Sequence, residues 1–233
     1  MGGLGLASRV SAKGIQRVSD ADVLTFALNL EYLEAEFYRM ATTGRTLDGS
    51  DTRGSGNGGG TTGGAKVSFK NRSLENLAKE IADDEMDHVR FLRKALGSAA
   101  VAKPAINLDA LMIGFKNDDE FIILARAFED VGVSAYRGAA KLIQNNDYLD
   151  AAAGILATEA YHAGHLRSHA IYAQANCPKV DGKDQPPTEK NWIPTDGNGL
   201  GIGRTPAEVL TIVRGKSMDG GAFFPHGLNG NVK

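Results

Sequence analysis

Cysteine is almost missing from this chain, since Cys177 is the only one among 233 residues. A single cysteine excludes a disulfide within the chain and also excludes a Cys-x-x-Cys electron-transfer module. A chain of this length can bury a core large enough to fold without such covalent support. Composition therefore indicates an ordinary globular protein with one large domain or two small ones.

The sequence also lacks long hydrophobic runs and a large excess of charge of either sign. No run of eighteen apolar residues occurs, so the sequence predicts no membrane span. Net charge is −2 with 23% charged residues, and no basic patch indicates nucleic-acid binding. We therefore expect neither a membrane span nor a nucleic-acid partner.

The first nineteen residues contain no acidic side chain but carry Arg9, Lys13 and Arg17. This composition predicts a flexible basic arm over 1–19. It is also weakly compatible with a trimmed targeting segment, whereas the apolar core of a secretory signal is missing. The compartment stays open on this evidence.

Four long segments have helical periodicity, at 20–43, 73–96, 118–145 and 147–174. Ser19 and Asp22 predict a capping box at the start of the first segment, and Gly44 predicts its end. The last two segments are joined closely, whereas 98–117 separate the second from the third. The pattern predicts an all-α four-helix bundle over 20–174 with one long crossover.

Glycine is abundant between the first two segments, where nine of the 21 residues in 44–64 are glycine. Such a stretch loses too much backbone entropy to form a regular element, so we expect a mobile surface insertion. No Gly-Lys-Ser/Thr follows, which argues against a phosphate-binding loop.

The C-terminal part, 175–233, is rich in glycine and proline and contains one clear helix signal, "TPAEVLTIVRG". Thr205 is its expected cap, with Pro206 at the first position and Glu208 completing a capping box. We expect this extension, including the apolar "GAFFPHG", to pack on the bundle.

The second and fourth segments each contain a Glu-x-x-His unit, Glu85 with His88 and Glu159 with His162. In a helix this spacing puts both side chains on one face, one turn apart. Arginine follows each histidine by five residues, so the two segments correspond with an offset of 74 throughout. His165 and His169 continue the face of His162 as further ligands, a proton path or satisfied polar groups.

The first and third segments form a second matched pair. Glu31 is followed by Tyr38 seven residues later, and Glu129 is followed by Tyr136 at the same spacing. Their offset of 98 indicates two helical hairpins of one pattern, with the glycine-rich insertion in the first. Glu34 lies one turn after Glu31 and could replace it, although Glu31 fits the tyrosine spacing better.

Four carboxylates and two imidazoles suit two divalent ions of the manganese or iron kind. Four negative charges would offset the four positive charges, whereas without metal the buried carboxylates would repel one another. A Glu from each of two helices plus a Glu-x-x-His from each of the other two is the known arrangement of di-iron and di-manganese carboxylate bundles.

At these residues the chain resembles the ferritin-like superfamily. The phrases "LNLEYLEAEFY" at 28–38 and "GGAFFPHGLNG" at 220–230 are similar to the desiccation-related family with a ferritin-like domain. The resemblance implies six metal ligands, with Glu85 and Glu159 as bridges and with Tyr38 and Tyr136 as candidate catalytic residues that donate hydrogen bonds to the ligands. The ligands are Glu31, Glu85, His88, Glu129, Glu159 and His162.

The ligand pattern and the family resemblance are compatible with two functions of different classes. The first is a di-metal redox enzyme linked to desiccation or oxidative stress that acts on hydrogen peroxide or dioxygen. Manganese would favour a catalase reaction, and iron would favour ferrous oxidation or peroxide reduction. The alternative is a non-enzymatic stress-related structural or interaction protein with a vestigial metal site. Assembly into a homo-oligomer stays open in both.

Overall fold

The computed structural model describes residues 18–215 and 222–232. Nearly all of the predicted basic arm lies outside these residues. Five α-helices occur in the described part, which are α1 Asp20–Thr43, α2 Arg72–Leu96, α3 Asp118–Ala139, α4 Asn146–Tyr172 and α5 Pro206–Val213. Short 3-10 turns cover Gly49–Thr52, Gly97–Ala99 and Ala140–Leu142, and two two-residue strands are β1 Thr61–Thr62 and β2 Ile106–Asn107.

Side-chain caps determine where most of these helices begin. Ser19 and Asp22 form the predicted capping box of α1, and Gly44 ends that helix with a left-handed φ of 74°. Asparagine side chains cap the other three long helices by accepting backbone N–H bonds in the first turn. Thr205 and Glu208 form the predicted box of α5.

Helix α3 ends at Ala139, six residues before the predicted end at 145. After a 3-10 turn, the backbone N–H groups of Gln144 and Asn145 donate to the carboxylate of Asp20 at 2.8 and 2.9 Å. Asn145 must also leave the helical conformation to cap α4 with its own side chain. The boundary is therefore decided by contacts with neighbouring helices, and periodicity could not reveal it.

The four long helices pack as two hairpins, because α1 contacts mainly α2 and α3 contacts mainly α4. Contacts of α1 with α3 and of α2 with α4 join the hairpins into one bundle. Phe37 of α1 lies between Phe121 and Phe128 of α3 with ring centroids 5.4 and 5.1 Å away. The predicted all-α four-helix bundle is confirmed. None of the described helices combines the length and the apolar character needed to cross a membrane.

The glycine-rich segment is hydrogen-bonded to the crossover and contains β1 and a 3-10 turn, so the prediction that it forms no regular element is wrong. Strand β1 pairs in parallel with β2, and the amide of Ser55 donates to the carbonyl of Ala100 at 3.0 Å. A Cβ at Gly54 would lie 2.3 Å from Ala100 O, and one at Gly59 would lie 2.5 Å from the backbone of Ala105. Glycine here permits close approach of two backbones, which offsets its entropy cost.

The C-terminal extension contacts both the bundle and the crossover. Asn29 in α1 and Asn229 exchange two hydrogen bonds, in which the Asn29 side chain donates to Asn229 O and accepts from Asn229 N. The Asn229 side chain also bonds to the backbones of Asn57 and Ala102. One residue near the end of the chain thus connects α1, the glycine-rich segment and the crossover.

Candidate metal centre

All six predicted ligands lie at mid-helix positions, where helix caps and termini are distant. Each long helix contributes to the cluster, with one Glu from α1, one from α3 and a Glu-x-x-His unit from each of α2 and α4. The four carboxylates are fully buried, and the two imidazoles are 9% and 5% exposed. The members are Glu31, Glu85, His88, Glu129, Glu159 and His162.

The cluster divides into two groups of four side chains whose ligand atoms all lie within 4.8 Å of one another. One group adds Glu31 and His88 to a shared pair, and the other adds Glu129 and His162. The shared pair is Glu85 and Glu159. Because they belong to both groups, these two carboxylates lie between the two places where a cation could bind.

The imidazole of His88 faces the first group through Nδ1. That nitrogen lies 3.2 Å from Glu31 Oε2 and 3.5 Å from an oxygen of each shared carboxylate. The imidazole of His162 faces the second group in the same way, with Nδ1 3.3 Å from Glu85 Oε1 and 3.2 Å from Glu129 Oε2.

The opposite nitrogen of His162, Nε2, lies 3.0 Å from Asp84 Oδ2. An ionised carboxylate can only accept, so Nε2 of His162 donates its proton to Asp84, and Nδ1 is the nitrogen that faces the cluster. In the sequence Asp84 lies in an acidic stretch with Asp83 and Asp87, and no motif distinguishes it from these neighbours.

Each of the two tyrosines reaches the glutamate of the other hairpin. Tyr38 of α1 donates to Glu129 Oε1 at 2.5 Å, and Tyr136 of α3 donates to Glu31 Oε1. Burial, together with the charge of the neighbouring glutamate, raises the pKa of both phenols well above the usual range. Both hydroxyls therefore stay protonated and serve as donors.

Electrostatics in the metal-free cluster are dominated by burial and by like charges. Burial and the charge of Glu31 raise the pKa of Glu85 to about 7. Burial and the neighbouring carboxylates raise the pKa of Glu159 well above the usual range. Burial alone would lower the pKa of His162, but the adjacent carboxylates of Glu129 and Glu85 outweigh burial and raise that pKa to about 11. Protons thus occupy the cluster when no cation is present.

The donor atoms fit a metal pair because their hydrogen-bonding capacity is unused. In the described part of the chain, ten buried side-chain atoms lack a hydrogen-bond partner, and six of them belong to this cluster. These are both oxygens of Glu85 and Glu159, Oε2 of Glu129 and Nδ1 of His162. Buried polar atoms are normally satisfied, so a concentration of unpaired oxygens facing one another indicates a place for cations.

Glu34 lies beside the cluster but outside both four-residue groups, whereas Glu31 belongs to the first group and accepts from Tyr136. Burial and the charges of four neighbouring glutamates raise the pKa of Glu34 well above the usual range. Gly132 of α3 faces it, and a Cβ at Gly132 would lie 3.1 Å from Glu34 Oε1. Nothing in the sequence pattern singled out Gly132.

Two further histidines of α4 stay outside both groups. His165 is exposed and His169 is partly buried, where burial and the charge of His165 lower its pKa. Among the three alternatives that the sequence left open, an additional ligand is therefore not supported by the geometry.

The fold and the buried cluster together define the class of protein. A four-helix bundle with one Glu from each of two helices and a Glu-x-x-His unit from each of the other two is a ferritin-like protein, and its buried carboxylate and imidazole cluster could hold a metal. A sequence profile described as the ferritin-like domain matches residues 19–171, which is well over half of the chain. The chain belongs to this family, and the predicted resemblance is confirmed.

Two curated relatives are similar to the chain at low identity. The ferritin-like catalase Nec2 of Nesocodon mauritianus is 22% identical over 267 aligned positions, which cover 92% of this chain and 85% of the relative. The desiccation-related protein PCC13-62 of Craterostigma plantagineum is 25% identical over 167 positions, which cover 64% of this chain and 52% of the relative. The chain thus aligns with about half the length of the second relative.

Proposed function

We propose that this chain is a di-metal carboxylate oxidoreductase that holds two manganese or iron ions and disproportionates hydrogen peroxide. The observation that carries the proposal is the pair of four-residue groups that share Glu85 and Glu159. The printed name of the catalase relative supports peroxide as the substrate.

Glu31 and His88 would hold one ion, Glu129 and His162 would hold the other, and Glu85 and Glu159 would bridge them. When bound, such an ion pair supplies two electrons and takes them back, the cycle by which peroxide is both oxidised to dioxygen and reduced to water. The ligand set does not distinguish manganese from iron, because both accept carboxylate and imidazole.

The remaining side chains prepare the cluster for this chemistry. Tyr38 and Tyr136 orient the two terminal glutamates by donating to one oxygen of each, which leaves the second oxygen for an ion. Asp84 holds the proton of His162 on the nitrogen that faces away from the cluster. Full burial of the carboxylates excludes bulk water and strengthens every charge interaction inside.

The test begins with elemental analysis of the purified protein as isolated and after reconstitution with Mn(II) or Fe(II). About two ions per chain are expected, with oxygen evolution from peroxide by the loaded protein. Glu85→Gln removes one shared carboxylate and should abolish both metal retention and oxygen evolution.

Glu80→Gln is the matched control, because Glu80 is an exposed glutamate on the same helix. It should leave metal content and turnover unchanged. Oxygen evolution that persists in Glu85→Gln at the wild-type rate would contradict the proposal.

The second candidate is a non-enzymatic, stress-related protein that keeps the fold with a vestigial site. Similarity to the desiccation-related protein is the observation that favours it. This candidate predicts no metal uptake and no change in melting temperature when manganese or iron is added, since a ligand that binds the folded state must stabilise it.

A further inference from the structure

Contacts around the cluster follow an approximate twofold relation between the two hairpins. The tyrosine contacts obey it, since each tyrosine donates to the glutamate of the other hairpin. Two more distant contacts obey it as well. Arg93 of α2 bonds to Tyr32 of α1, and Arg167 of α4 bonds to Asp130 of α3, at positions that correspond by offsets of 74 and 98.

The symmetry is broken beside the cluster, where Glu34 of α1 corresponds to Gly132 of α3 with the same offset of 98. A Cβ at Gly132 would lie 2.4 Å from Glu159 Oε2 and 3.1 Å from Glu34 Oε1. Both oxygens therefore converge on the small volume that the missing side chain leaves. The space there admits one glutamate side chain from one helix, and the glycine on the other helix makes this possible.

Glu34 has no cationic partner within the described residues, although it is only 5% exposed. The contrast with Glu36, two residues later, is informative. Glu36 is also buried, but Lys103 Nζ lies 3.0 Å from its Oε1, and the amide of Leu47 donates to its Oε2. A buried ionised carboxylate without a cation is costly, so Glu34 holds a proton when no cation is present, and a cation placed beside it would replace that proton.

We propose that Glu34 is a fifth carboxylate of the metal centre, which contributes a ligand oxygen on the side of Gly132. This inference rests on the proposed function, because the ions are the positive charge that would replace this proton. Glu34 stands outside the two four-residue groups and beside Glu159, so it is a supplementary ligand and leaves the pairing of the six others unchanged.

A fifth carboxylate changes the charge balance of the centre. Five carboxylates exceed the four positive charges of two divalent ions by one, so Glu34 favours a higher oxidation state of the pair. It also makes the two metal positions inequivalent, since α3 offers only a glycine at the corresponding place.

The test uses Co(II) alone as the probe, added to the full-length protein in a calorimetric titration. Glu34→Gln keeps the size of the side chain and removes its charge. We expect Co(II) affinity to fall about ten- to a hundredfold, with the visible absorption of bound Co(II) altered by the loss of a ligand. The melting temperature of the metal-free variant should equal or exceed that of wild type, because repulsion among the glutamates decreases.

Glu36→Gln is the matched buried control. It breaks the ion pair with Lys103 and should lower the melting temperature of the metal-free protein, with Co(II) affinity and absorption unchanged. Gly132→Ala is the second variant, since alanine favours the helix but its methyl group displaces Glu159 and Glu34. It should weaken Co(II) binding to a similar extent.

The outcomes separate the two proposals. Wild-type protein that takes up no Co(II) would overturn the proposed function together with this inference. Wild type and Glu34→Gln that bind Co(II) with equal affinity and equal absorption would overturn the inference alone. A lower melting temperature of metal-free Glu34→Gln with unchanged Co(II) binding would assign Glu34 a purely structural role and overturn it as well.

Discussion

His88 and His162 have corresponding positions in the two hairpins, but their surroundings differ at the residue scale. Asp84 lies 3.0 Å from Nε2 of His162, and the residue at the matching position of α4 is Thr158, whose hydroxyl donates to the carbonyl of Gly154. A carboxylate behind a ligating histidine fixes its tautomer and raises its basicity. The second proposed metal position, at His162, is therefore supported by a contact that the first, at His88, does not receive from Thr158.

Asp84→Asn should weaken metal binding about ten- to a hundredfold. The neutral amide accepts the Nε2 proton of His162 more weakly than a carboxylate does, so the basicity of Nδ1 decreases. The measurement is a Mn(II) or Co(II) titration of the purified variant. Asp83→Asn is the control, since Asp83 is an exposed neighbour of the same charge. Equal affinities of the two variants would show that Asp84 does not act through His162.

At the scale of elements, two arginines fasten the irregular segments to the bundle. Arg93 of α2 donates to the carbonyls of Ser50 and Val101, which lie in the glycine-rich segment and the crossover. Arg167 of α4 donates to three carbonyls of the C-terminal extension, at Gln185, Asn191 and Trp192. The corresponding arginines thus have corresponding functions, although the segments that they hold share no sequence pattern.

Arg167→Ala should destabilise the protein more than Arg93→Ala. Removing Arg167 leaves Asp130 buried without its closest cation, which costs about 3 to 5 kcal/mol. Removing Arg93 leaves Tyr32, a neutral group that still donates to the carbonyls of Asp51 and Val101, so the cost is about 1 to 2 kcal/mol. Urea denaturation of both variants measures the difference, and equal losses would contradict the explanation.

The attachment of α5 should depend on pH. Hydrogen bonds from Lys183 and from the amide of Thr205 lower the pKa of Glu208 from its usual 4.5 to about 2. A lowered folded-state pKa means that the contribution to stability is present above pH 4.5 and is lost as the pH falls towards 2. Asp181, whose pKa is lowered chiefly by its hydrogen bonds to Arg204, acts in the same direction.

Trp192 reports on this change, because it is the only tryptophan and lies in the extension against Tyr172. Its fluorescence should change between pH 4.5 and 2 before helix content is lost, and the Glu208→Gln variant should show less of that change. Identical fluorescence profiles for wild type and Glu208→Gln would exclude Glu208 as the group responsible.

At the scale of the whole molecule, four fully buried carboxylates in one cluster make the metal-free bundle less stable than its packing allows. Ions that bind only the folded state should raise the free energy of unfolding by about 4 kcal/mol when the free ion concentration is about a thousand times Kd. For a chain of this size the melting temperature should rise by about 8 to 16 °C.

Calorimetry with and without Mn(II) measures that shift, and Glu85→Gln should remove it. Binding should also release protons, because imidazolium and protonated carboxyl groups must ionise to become ligands. Titration in two buffers of different ionisation enthalpy detects the release. An unchanged melting temperature in wild type would favour the vestigial site over the enzyme.

The sequence by itself determined what is encoded within one helix. Capping residues fixed the start of α1 and α5, periodicity identified the four long helices, and the spacing of Glu85 to His88 and of Glu159 to His162 placed each pair on one face. These features depend on neighbours three or four residues apart, so local geometry is sufficient to predict them.

Only the tertiary structure decided what depends on distant segments. It determined that each tyrosine reaches the opposite hairpin, that Asp84 contacts His162, that Glu34 faces Gly132, and that the glycine-rich segment pairs with the crossover. The physical reason is that these contacts join residues 45 to 105 positions apart, and packing alone brings them together. In a sequence, glycine predicts a flexible backbone. In the folded chain, glycine can instead allow another group to occupy the space that a side chain would fill.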